Sequence, residues 1–77
     1  MNQGSGAEAQ IRAKVQMVVA DESLFGVLST GERIAVALVL DRPDLVKFWG
    51  TMLEAVDRLG PDWTRAALRV QRDGWEN

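Results

Sequence analysis

Glu54 and Asp57 stand three residues apart and would share one face of a helix, a spacing at which two carboxylates could divide acid and base work. Glu54 is also four residues ahead of Arg58, however, and that arrangement reads better as an ordinary surface ion pair. Asp41 and Asp44 flank a helix start, where acids stabilise the positive end of the helix dipole and need no further role. The chain contains no His and no Cys, so the two commonest base and nucleophile side chains are missing. A structural zinc site built on imidazole or thiolate is excluded for the same reason, as is any disulfide. The sequence shows no phosphate-cradling glycine loop, nucleophile elbow or calcium loop. The expectation is a protein that is not an enzyme, with no catalytic residues, no cofactor and no metal.

Binding chemistry remains. Arg65, Arg69 and Arg72 fall at i, i+4 and i+7, a stripe that could contact nucleic-acid phosphates. Asp73 follows Arg69 by four residues, Glu76 follows Arg72 by four and Asp62 precedes Arg65 by three, so local ion pairs could neutralise the stripe. A DNA-associated regulator using these arginines is therefore the alternative reading, with a salt-laced solvent face the preferred one. Three Trp in 77 residues is a heavy allotment for a residue enriched in interface hot spots. Trp49 lies in an apolar stripe and Trp63 beside a helix start. Trp75 follows Gly74 close to the last residue, where it must either fold back on the body or dock into a partner. Gly50, read as a mid-helix glycine, would cost roughly 1 kcal/mol against Ala and could open a close approach to another helix. Trp75, Trp49 and Gly50 are thus the candidate protein-interface residues.

These residues must be carried by helices. Ile34 to Leu40 is an unbroken apolar run, which needs burial on every side, within one chain or between two. In front of it, Ser29-Thr30-Gly31-Glu32 has the form of a reciprocal helix cap, and behind it Asp41-Arg42-Pro43 is a stop. The spacing predicts a helix over about 29–41. The alternative is a hairpin over 24–40, since Val and Ile also favour strands. Before it, Ile11, Val15 and Val18, widened by Val19, mark an amphipathic helix over residues 7–21, with Met17 as an off-stripe apolar residue. After it, Leu45, Phe48, Trp49, Met52, Val56 and Leu59 form one stripe from Pro43 to Gly60-Pro61. Trp63, Ala66, Ala67 and Val70 then face inward on a last helix that ends at Gly74. Residues 22–28 are ambiguous.

The fold class that follows is all-α: three or four short helices around a central apolar helix, forming a single domain over residues 7–77 behind a flexible leader at 1–6. A domain of this size has a thin stability margin and usually leans on a staple. With disulfides and zinc excluded, a homodimer is the expected partner arrangement. Net charge is −2, and acids and bases number five and four before Pro43 and six and five from there on, so no block of charge invites nucleic acid or anionic lipid. No stretch is long and apolar enough to span a bilayer, and the polar start lacks the layout of a signal peptide. The cytoplasm is the expected location. The functional expectation is a small protein–protein interaction module.

Overall fold

Four helices follow one another: α1 (Gly4–Ala20), α2 (Thr30–Leu40), α3 (Met52–Leu59) and α4 (Pro61–Asp73). 3₁₀ segments at Glu22–Val27 and Pro43–Trp49 link the first three. The computed structural model describes residues 4–76, the side chains of residues 4, 5 and 47–49 excepted. No β-strand occurs among the described residues. The fold is therefore the all-α bundle around a central apolar helix, and the hairpin over 24–40 is set aside.

The reason lies at both ends of α2. Ser29 Oγ accepts from the Glu32 amide at 3.2 Å while Glu32 Oε1 accepts from the Ser29 amide at 2.9 Å, the reciprocal box that the sequence predicts. At the other end Asp41 takes a left-handed conformation (φ 55°), with its amide donating to Leu38 and the Arg42 amide to Ala37. Gln71 of α4 adds a side-chain donor to the Leu38 and Val39 carbonyls. Both ends of a buried helix are thereby satisfied.

The apolar run is buried on two opposite faces. Ala35, Val36 and Val39 join Ile11, Val15 and Val18 of α1, Leu28, and Ala66, Ala67 and Val70 of α4. On the other side Ile34 and Ala37 pack with Val46 and Ala55, flanked by Leu45, Met52 and Leu59. One chain thus supplies the whole enclosure. Its surface of 4832 Å² is close to the ~4,700 Å² of a folded monomer of this mass. Its radius of gyration of 11.5 Å matches the ~11.5 Å of a compact chain of this length. A second chain is not required to bury α2.

Several local expectations change. α1 begins at Gly4, within the stretch read as a leader, of which residues 1–3 lie outside the described residues. Val19 is half exposed, whereas Met17 packs against the core, so the stripe of α1 is widened by the thioether and not by the valine. Residues 22–27 form a 3₁₀ helix capped by Asp21, whose carboxylate accepts from the Ser23 amide and hydroxyl. Arg33 closes that segment by donating to the Leu28 carbonyl at 3.0 Å and the Gly26 carbonyl at 2.7 Å.

The largest difference is at 43–59, which is two elements and not one helix. Pro43–Trp49 is 3₁₀ with a kink at Val46 (φ −122°, ψ 17°), and Val46, absent from the expected stripe, is buried. Gly50 then adopts φ 94°, and Thr51 caps α3 through a second reciprocal box with Glu54. A helix cannot run through a residue at that φ.

Two stability measurements follow. Asp41 pays for a left-handed backbone and places a carboxylate at the negative end of α2. Asp41→Gly is expected to raise stability by about 0.5–1 kcal/mol in denaturant unfolding, the gain being reduced by the extra freedom of glycine in the unfolded chain. Glu32 gives the second. The Ser29 amide, then Gln10, Lys14 and the Ser29 hydroxyl hold its carboxyl below the ordinary value of 4.5, against partial burial. Its contribution is therefore complete above that value and lost as pH falls through the lowered folded-state pKa. Glu32→Gln keeps an acceptor for the Ser29 amide but cannot titrate. The melting temperature of the variant should fall less steeply on acidification below pH 4.5 than that of the wild type.

Candidate functional site

α3 and α4 are joined only by Gly60, whose φ of 91° and missing side-chain cap make the corner abrupt, with Pro61 at the first turn of α4. Met52, Ala55 and Leu59 turn inward from α3, and Trp63, Ala66, Ala67 and Val70 from α4. The helices diverge outside this line and leave a cleft of about 200 Å³, lined by Leu38, Val56, Thr64, Ala67, Leu68 and Gln71. It adjoins a wider opening of about 360 Å³ that shares Val56 and Thr64 and adds Asp57, Gly60, Pro61 and Arg65.

The two polar side chains of the cleft both donate to backbone carbonyls. Thr64 Oγ1 donates to the Gly60 carbonyl at 2.6 Å, and Gln71 donates to the last carbonyls of α2. What they leave facing outward is methyl, methylene and leucine surface, suited to an apolar side chain. Leu68, which lines the cleft, is 44% exposed, and Leu53, three residues before the lining Val56 on α3, is 76% exposed. Helical phase places Leu53, Val56 and Asp57 on the cleft side of α3, and Thr64, Leu68 and Gln71 on the cleft side of α4.

Arg65, Leu68 and Arg72 follow at i, i+3 and i+7 along the outer face of α4. The three-arginine stripe is divided by its partners. Arg69 turns away and binds Glu8 of α1 at 2.9 Å, a contact between helices in place of the expected pairing with Asp73. Among the described residues, ion pairs do not join Asp62 to Arg65, Arg72 to Glu76 or Glu54 to Arg58. Among the described residues, Arg65, Arg72 and Asp57 have no ion-pair partner. A further cavity of about 350 Å³ lies at the start of α2, between Gln10, Thr30, Arg58 and Trp63. The Glu32 carboxylate caps the helix there, so an anion would meet a charge of its own sign.

Of the three residues expected at a protein interface, the side chains of two are described. Trp75 folds back: Gly74 turns the chain at φ 92°, Gln16 of α1 donates to the Trp75 carbonyl at 2.6 Å, and the Trp75 side chain packs against the core. The side chain of Trp49 lies outside the described residues. Gly50 is at the corner before α3, where a Cβ would collide with the Glu54 carboxylate that caps Thr51. Its local geometry accounts for a glycine without any neighbouring helix. Leu53 and Leu68 were legible as leucines lying off the inward stripes of their helices.

Among the described residues no group of three or more acidic side chains is placed to hold a metal ion, and no helix is long and apolar enough to cross a membrane. The chain matches no protein-family model, and no curated protein or solved structure is significantly similar to it.

Gly50 supplies a test of sign. In a helix interior, Gly→Ala would stabilise by roughly 1 kcal/mol. At φ 94°, with the capping carboxylate in the way, Gly50→Ala is expected to destabilise by about 1–2 kcal/mol in chemical unfolding.

Proposed function

We propose that this protein is a non-enzymatic protein-binding module of the cytoplasm that engages its partner through the α3/α4 face, with a second copy of the chain as the first partner to consider. The observation that carries the reading is the pair of exposed leucines, Leu53 and Leu68, beside an apolar cleft whose two polar side chains, Thr64 and Gln71, donate hydrogen bonds to backbone carbonyls. An exposed leucine alone is unremarkable, but a cluster beside a concave apolar surface is what partner sites are built on. The absence of His and Cys supports a binding role over a catalytic one. The diversion of Arg69 to Glu8 weakens the phosphate-reading alternative.

The magnitudes indicate how large the contact must be. Burying the two leucines supplies roughly 2–4 kcal/mol, which alone corresponds to millimolar affinity. A stable complex needs about 800 Å² per partner, roughly a sixth of the 4832 Å² available, so the cleft and its charged rim must be covered as well.

The test is a photo-crosslinking residue placed at position 53, with the exposed position 13 on α1 as control. Irradiation in cells expressing the protein should give protein adducts from position 53 and few from position 13. Equal yields from both positions, or adducts that nuclease removes, would overturn the assignment.

A further inference from the structure

The α3/α4 face carries complementary halves. α3 presents Leu53 and, one turn further on, Asp57, whereas α4 presents Leu68 between Arg65 and Arg72. Asp57 and Arg65 line the same opening, yet no ion pair joins them, and among the described residues Arg72 likewise has no ion-pair partner. Opposite charges of this kind on two adjacent helices would satisfy each other if two copies met face to face. A two-fold axis brings α3 of one copy onto α4 of the other and repeats the contact with the roles exchanged.

We infer that the occupant of the α3/α4 face is a second copy of this chain, in a two-fold dimer. α3 of each protomer lies along α4 of the other. Leu53 meets the cleft rim at Leu68, and Asp57 faces Arg65 and Arg72. The inference rests on the protein-binding reading above and names its partner and register. Apolar contact supplies most of the affinity, and the charges fix which helix meets which, since rim ion pairs add specificity more than strength. The dimer does not serve to bury α2, which is enclosed within one chain.

Charge reversal tests this directly by sedimentation equilibrium at about 10–100 µM, a range in which micromolar dimers are resolved. The wild type should be dimeric. Leu53→Asp should raise the dissociation constant about tenfold or more while keeping the cooperative thermal melt of a folded chain. Asp57→Arg alone should weaken self-association, because each α3 then faces arginines, and the double variant Arg65→Asp/Arg72→Asp should weaken it because aspartate faces aspartate. Mixed one to one, these two chains pair opposite charges at both contacts, so a mixed dimer should form where neither chain dimerises well alone. A monomeric wild type, or a dimer indifferent to Leu53→Asp and to mixing, would overturn the inference. If the wild type is monomeric while position 53 still crosslinks to a different protein, the second-copy assignment fails and the binding-module reading stands.

Discussion

The enclosure of α2 is the constraint on which the rest of the structure depends. A helix that is apolar all round must be covered on opposite faces, and its terminal amides and carbonyls must be satisfied away from water. This chain meets both demands with the same residues. Glu32 caps α2 and also accepts from Gln10, with Lys14 nearby, which fastens α1 to the start of the helix. Gln71 covers the last carbonyls and fastens α4 to the end. The caps are therefore tertiary joints, and the order of the bundle follows from them. Among the described residues the core contains no buried polar or charged side chain, so these joints lie at its edge, where water can share in their solvation.

The composition of the core explains the shape of the outer layer. Among the described residues its interior is built of Ala, Val and Ile with one leucine, Leu28, and the small side chains let helices approach closely but supply little area per residue. Trp63 and Trp75 pack along the margin as partly buried covers, and Gln16 holds the second in place through its carbonyl. α3 has eight residues and one fully buried side chain, Ala55, and it meets α4 only along its inner edge. That economy on the inside leaves Leu53 and Leu68 outside. The apolar surface remaining on α3 and α4 is thus a consequence of how thinly α3 is attached, and local opening should be easiest where buried contacts are fewest.

Legibility followed the range of the interactions. The Ser29–Glu32 box is formed over three residues and could be read from the sequence, as could the inward stripe of α4, since both depend only on helical spacing. Thr51 and Glu54 repeat the same box, but a stripe running on from Leu45 through Met52 to Leu59 concealed it. The two segments share a stripe because both lean on α2, not because they are one helix. Val19 and Met17 exchanged roles because their burial is decided by which neighbour α1 meets, and periodicity does not contain that information. Arg69 shows the same limit. Asp73 is near in sequence, but Glu8, sixty-one residues away, is the partner that the α1–α4 packing brings within reach.

The arginines of α4 also show how one helix can serve two purposes. Arg69 lies on the flank toward α1, where Glu8 is only 19% exposed and the pair is partly shielded from solvent, so it can contribute to docking the two helices. Arg65 and Arg72 are seven residues apart, almost two full turns, and therefore emerge on one line with Leu68 between them. Charges in full solvent add little stability to the chain that bears them. Their effect is on what approaches: repulsion of basic surfaces, attraction of acidic ones, and a preferred orientation along the helix axis. In the proposed dimer, Leu68 of this line supplies contact and the two arginines select the acidic helix face that meets it.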